Sequence, residues 1–207
     1  MPERVKRVYN SPQRQRKAET TQAVILSSAR RLFAERGYQS TTIEAIAVEA
    51  GLAVQTVYFT FGSKAAILAR LVASAGADPG IRRLAEKATA ETEPRRRLEL
   101  GTRVISMIMA RDRDIADLMA QAGRGSPELV KAWRQSHEQQ LGRMQELLEP
   151  IARSGHLRPG VTDAEAVDVL FAIASPEVHR LLVMERRWTE TRYRAWLAKS
   201  AADVLLK

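Results

Sequence analysis

Residues 41–64 read TTIEAIAVEAGLAVQTVYFTFGSK, and the way this stretch must pack decides the fold. Two helices of about eight residues are joined by a tight turn at Gly51, the spacing of a helix-turn-helix. Helices this short are barely stable in isolation, so both must lean on a neighbour. Ile43, Ile46, Ala47, Leu52 and Val57 supply the shared core, and small Ala47 and Ala50 permit close approach. Gly51 is expected where a side chain would clash. The neighbour is the preceding helix, expected from about Thr20 to Arg36. Its apolar stripe is Ala23, Ile25, Leu26, Ala29, Leu32 and Phe33, and Gly37 stops it.

Packed this way, the second short helix presents Gln55, Thr56, Phe59 and Thr60 to solvent. Gln bonds bidentately to adenine N6 and N7, and Thr reaches a phosphate or a thymine methyl. Tyr58 adds a hydroxyl for phosphate. Lys64 adds a cation at the start of the next helix, whose backbone N–H groups also favour phosphate.

Beyond this stretch the chain reads as helical nearly throughout. Apolar residues recur three and four apart, and alternation with period two is never sustained. A fourth helix is expected from Ser63 to about Ala75, broken by the run to Gly80. Residues 81–93 read as a connection with some helix in it. Further helices are expected at about 94–110, 112–121, 126–154, 162–186 and 189–206. Thr162 and Glu165 have capping-box spacing, and Pro176 predicts a break near Ser175. The fold class is all-α, with about nine helices. Domain boundaries are placed at 1–18 (a disordered basic arm), 19–65 and 66–207.

The 207 residues carry 33 Lys and Arg against 24 Asp and Glu, a net charge of +9. Six bases and one acid fall in the first eighteen residues, among them Arg14, Arg16 and Lys17 just before the first expected helix. A basic arm beside a near-balanced body suits a polyanion, and such arms reach DNA minor grooves or backbones. Cysteine is absent, so disulfides, iron–sulfur clusters and cysteine nucleophiles are excluded. The three histidines, His137, His156 and His179, lack the spacing of a helical metal pair. No P-loop, dinucleotide fingerprint or nucleophile elbow is present, and nothing supports catalysis, a metal or a cofactor. No run of about 18 apolar residues occurs, so no membrane span is expected, and the cytoplasm is the expected location. Arg95, Arg96 and Arg97 read as a solvated helix start.

The run Ala34 to Tyr38, then Thr41 and Thr42, Ile46 and Ala47, Ala50 and Gly51, Thr56 to Tyr58, Phe61 to Lys64 and Leu68, resembles the DNA-binding domain of the TetR family of bacterial transcriptional regulators. The resemblance covers about residues 20–70. Trp188 through Leu206 also resembles the family's last helix. It implies a homodimer in which three N-terminal helices bind double-stranded operator DNA. The remaining helices would form a regulatory and dimerisation domain. The family usually represses transcription and leaves its operator when a small-molecule effector binds. Thr42, Gln55, Thr56, Tyr58, Phe59 and Lys64 match positions that typically touch DNA. Two departures stand out. Ala53 occupies a position where the family often has a capping serine or threonine, and Val54 one where a polar or basic residue is common.

In the regulatory half, Met107, Met119, Trp133, His137, Phe171 and His179 are the expected ligand contacts, by analogy with the family's pocket among the middle helices. The last two helices carry more apolar surface than one thin layer needs. Leu170, Ala174, Val178, Leu181, Trp196 and Leu197 are therefore the expected dimer contacts. Two other functions stay open at this stage: a regulator of the same fold without a small-molecule effector, and a helical enzyme or scaffold with no DNA role.

Overall fold

A computed structural model describes residues 12–74, 76–122 and 127–207. The chain forms two compact units, residues 1–71 and 72–207. The division falls inside a helix, a few residues beyond the expected 65/66 boundary. The first unit holds α1 (Pro12–Arg36), α2 (Ile43–Ala50), α3 (Val54–Phe61) and most of α4 (Lys64–Ala73). The second holds α5 (Pro79–Ala90), α6 (Pro94–Arg111), α7 (Arg113–Ala122), α8 (Pro127–Arg153), α9 (Asp163–Ile173), α10 (Pro176–His179) and α11 (Glu190–Leu205). A π-helical turn, Arg180–Glu185, continues α10. Among the described residues there is no strand, only an isolated bridge between Leu157 and Leu206.

In the first unit, α1 packs on α2 and α2 on α3, burying Ile25, Ala29, Leu32 and Phe33 of α1, Ile43, Ile46 and Ala47 of α2 and Val57 of α3. The helix starts at Pro12, not near Thr20. Gln, Arg, Lys, Ala and Glu have near-maximal helix propensity, and proline suits a first turn. A basic, polar composition therefore did not mean disorder, and Arg14, Arg16 and Lys17 lie on a helix. Residues 1–11 of the expected arm lie outside the described residues. Gly51 is also needed for a different reason than expected. A Cβ there would meet nothing within 4 Å, but φ is +64°. The left-handed backbone, not crowding, selects glycine.

Lys64 corrects a second expectation. Its Nζ donates to the carbonyls of Tyr38 (2.7 Å), Thr41 (2.8 Å) and Gln39 (3.3 Å) and lies 4.4 Å from the Tyr38 ring centroid. All three ammonium donors are engaged in tying the start of α4 to the loop between α1 and α2. Partial burial holds this ammonium below the ordinary lysine pKa, and the carbonyls offset that cost. Beneath it, buried Thr41 donates its hydroxyl to the Leu32 carbonyl (3.2 Å) and the Gly37 carbonyl (2.9 Å). Lys64 is a clamp on the fold rather than a cation held out for DNA.

The core of the second unit is built from α6, α8, α9 and α11 around Leu98, Met144, Leu148, Ile151, Leu170, Tyr193, Leu197 and Leu205. Arg97 is 3% exposed, unlike the solvated helix start expected, and its partners among the described residues are backbone carbonyls. It donates to the carbonyls of Thr89 (2.6 Å), Glu91 (3.0 Å), Leu147 (2.7 Å) and Glu146 (2.8 Å). The last partner explains the arrangement. Pro150 lies inside α8 and has no N–H to give the Glu146 carbonyl four residues earlier. Arg97 supplies the missing donor and binds the end of α5 to α8 at the same time. The capping box at Thr162 and Glu165 and the break at Ser175 and Pro176 form where the sequence places them.

Replacing Arg97 with leucine is expected to lower the unfolding free energy by about 3 kcal/mol, because several buried carbonyls lose their donor at once. Pro150→Ala restores an amide to one of them. In the Arg97→Leu background it should recover about 1 kcal/mol, and clearly less in the parent protein. Urea unfolding of the four variants checks this, and equal effects in both backgrounds would contradict it. Lys64→Met should cost about 2 kcal/mol by the same assay.

Candidate nucleic-acid interface and internal cavity

The axes of α2 and α3 cross at 110°, within the range of a helix-turn-helix. Thr42 caps α2, its Oγ1 accepting from the Ala45 N–H at 3.1 Å. α3 has no such support. Its N-cap is Ala53, and no side chain accepts from its first turn. Buried Val57 anchors the helix instead, and Gly62 ends it in a left-handed turn (φ +77°).

With Val57 inward, Gln55, Tyr58 and Phe59 face solvent, Tyr58 at 47% and Phe59 at 95% exposure. Thr56 and Thr60 are half-buried, and Thr60 donates its hydroxyl back to the Thr56 carbonyl (2.7 Å). An eight-residue helix is about 12 Å long, close to the width of a major groove. Of the expected DNA-facing residues, Gln55, Tyr58 and Phe59 share one surface, and exposed Thr42 lies at the start of α2. Lys64 is engaged internally. Residues 42–63 contain no Lys or Arg, and of their two acids Glu49 is ion-paired with Arg31. Positive charge comes from α1, where Arg14, Arg16 and Lys17 are exposed.

The second unit contains a partly open cavity of about 820 Å³, large enough for a drug-sized molecule. α6 contributes Val104, Ile105, Ile108 and Met109, α7 contributes Ile115, and α8 contributes Leu129, Trp133, His137, Met144 and Leu147. α5 contributes Ala85 and Ala88, and His179 of α10 closes one side. Trp133 and His137 lie 3.9 Å apart between ring centroids. His137 Nδ1 lies 3.0 Å from the Trp133 carbonyl, which only accepts, so the proton sits on Nδ1. His179 Nε2 lies 3.1 Å from Glu190 Oε2, and its ring meets Tyr193 edge-on at 4.7 Å. Gly101 leaves the cavity wall bare, because a Cβ there would run into Leu147.

Three of the expected ligand contacts, Trp133, His137 and His179, line this cavity. Phe171 stands behind them, 5.7 Å from the His137 ring. Met107 is half-buried on α6 and is not part of the lining, whereas Ile105, Ile108 and Met109 are. The Met119 side chain lies outside the described residues. The stripe of Gly101, Val104, Ile105 and Ile108, at i, i+3, i+4 and i+7, was the signal that could have found this wall.

The expected dimer contacts divide. Leu170, Ala174 and Leu197 are 0% exposed within this chain's own core, so no partner can reach them. The apolar stripe of α9 is covered mainly by α8 and that of α11 by α6, and the two helices also meet each other. Leu181 is 46% exposed, and Val178 and Trp196 are half-buried. Met184, which the sequence had not nominated, is 49% exposed on the same π-helical turn as Leu181.

Residues 25–71 match the family model of the bacterial regulatory proteins of the tetR family. No curated protein matches the sequence. Solved structures match along nearly the whole chain. The complex of SmeT with triclosan has a TM-score of 0.73 at 21% identity, covering 91% of this chain and 92% of that one. SmeT is the repressor of a multidrug efflux pump of Stenotrophomonas maltophilia. NalD, secondary repressor of a multidrug efflux pump in Pseudomonas aeruginosa, has a TM-score of 0.72 at 22% identity, covering 93% and 98%. The fatty acid degradation regulator FadR from Bacillus halodurans has a TM-score of 0.71 at 20% identity, covering 86% and 96%. Residues 25–71 thus match the tetR family model over the helix-turn-helix, and the chain as a whole shares the fold of these regulators.

Proposed function

We propose that this protein is a cytoplasmic, homodimeric transcriptional repressor that leaves its operator when a small apolar molecule occupies the cavity of the second unit. The observation that carries this reading is the cavity itself: about 820 Å³ of largely apolar space in a chain whose first unit is a helix-turn-helix. A recess of this size leaves apolar surface uncovered, which is costly unless something occupies it. The similarity to SmeT, whose structure holds triclosan, and to NalD, a repressor, supports both halves of the reading.

α4 is the natural route between the two. Its Ala65, Ile67 and Leu68 are buried in the first unit, and Val72, one turn on, lines the cavity. A ligand that displaces Val72 therefore acts on the helix that begins at the Lys64 clamp. Coupling of this kind needs a ligand that binds the two states unequally. Dimerisation follows from the size of α3. One eight-residue helix reads too few bases, and a twofold pair about one helical turn of DNA apart doubles the contacts. Leu181, Met184, Val178 and Trp196 are the proposed contact residues.

Filling the cavity tests the release mechanism. Ile108→Trp should keep operator affinity within about twofold while abolishing release by any apolar molecule that releases the parent protein, triclosan being the first to try. Release that persists undiminished in this variant would place the effector elsewhere. Leu181→Glu should shift the protein to monomers by sedimentation and weaken operator binding about a hundredfold through lost avidity. A Leu181→Glu dimer of normal affinity would assign the interface to another face.

A further inference from the structure

Phe59 has no structural role inside its own unit. It is 95% exposed, while its helix is anchored through Val57 on the opposite side. Gln55 lies four residues before it, so the two share one stripe of α3. The stripe carries an amide and a phenyl ring, and the whole of residues 42–63 carries no cation. Charge complementarity to DNA resides elsewhere in the first unit, whose 71 residues hold eleven bases against five acids.

This separation has a chemical consequence. In the major groove, guanine shows N7 and O6, cytosine N4, and adenine N7 and N6, all of them polar. A phenyl ring laid against any of these desolvates it without offering a hydrogen bond. Thymine alone presents an apolar group, its C5 methyl. We infer that Phe59 is a specificity-determining residue that reads the C5 methyl of a thymine, one or two base pairs from an adenine held by Gln55. The spacing follows from the helix: four residues advance about 6 Å, against about 3.4 Å per base pair. The contact removes apolar surface from water and involves no charge. It contributes sequence preference that salt does not screen, whereas affinity from the α1 cations falls as salt rises.

This inference rests on the proposed DNA-binding function, and the test separates the two. The full-length protein is used to select its binding site from random-sequence duplexes. Each thymine of the selected site is then replaced singly by uracil, which removes the methyl and leaves pairing unchanged. At one thymine per half-site, uracil should weaken binding about fourfold, the value of one buried methyl group. Phe59→Ala should bind the thymine and uracil duplexes equally, and the fourfold ratio of the parent should hold between low and moderate salt. Because Phe59 is exposed, this variant should melt at the parent temperature. Uracil tolerated at every position by the parent protein would overturn the inference. So would a methyl effect that survives in Phe59→Ala. Failure to select any sequence would instead overturn the DNA-binding reading on which it rests.

Discussion

Everything proposed for this protein depends on holding one short helix in place. α3 has eight residues and no side-chain cap, and it would not persist by itself in water. Its only buried side chain is Val57, so its position is that of the surface Val57 packs on. That surface exists because α1 and α2 bury Leu32, Phe33, Ile46 and Ala47 together. The loop between them is fixed by Thr41 from below and Lys64 from above. The recognition surface is thus a dependent of the scaffold, and its exposed residues are free to be chosen for what they touch.

The second unit solves a different problem. The proposed release mechanism asks it to be rigid enough to transmit a change and open enough to admit a ligand. The rigid part is the buried Arg97 centre and the core of α6, α8, α9 and α11. Its cost in a desolvated guanidinium is offset by four carbonyls, one of them orphaned by Pro150. The open part lies between α5, α6, α7 and α8, lined by Met109, Met144 and branched aliphatics that can repack around different shapes. The two regions share α6 and α8, with Arg97 and Leu98 near the start of α6 and Ile108 and Met109 near its end. Occupation of the cavity therefore bears on helices that are already firmly anchored.

Much of this was legible in the sequence, where the signal is local. Gly37 and Gly51 end their helices, Thr42 and Thr162 cap theirs, and Pro176 breaks the chain, because each acts within four residues of itself. Gln55, Tyr58 and Phe59 were readable because they lie on the face of α3 away from its one inward residue, whereas Thr56 and Thr60, expected in solvent, lie at the flank and are half-buried. Long-range partnerships were not readable. The clamp formed by Lys64 spans 26 residues to Tyr38, and the bond from Arg97 to Leu147 spans 50. In both cases a cation that looked solvated instead satisfies backbone carbonyls. The same limit misassigned Leu170, Ala174 and Leu197. An apolar stripe shows that a helix face will be buried, and not whether its own chain or a second copy will bury it.

In the proposed mechanism DNA and an apolar ligand compete through one protein. Thermodynamic reciprocity tests it most directly. An apolar molecule that raises the melting temperature of the free protein is titrated calorimetrically into the free protein and into the protein–operator complex. Operator should weaken the ligand's binding by the same factor by which the ligand weakens the operator's, at least about tenfold. Equal ligand affinity with and without operator would contradict it, and would leave a DNA-binding protein whose cavity does not regulate it.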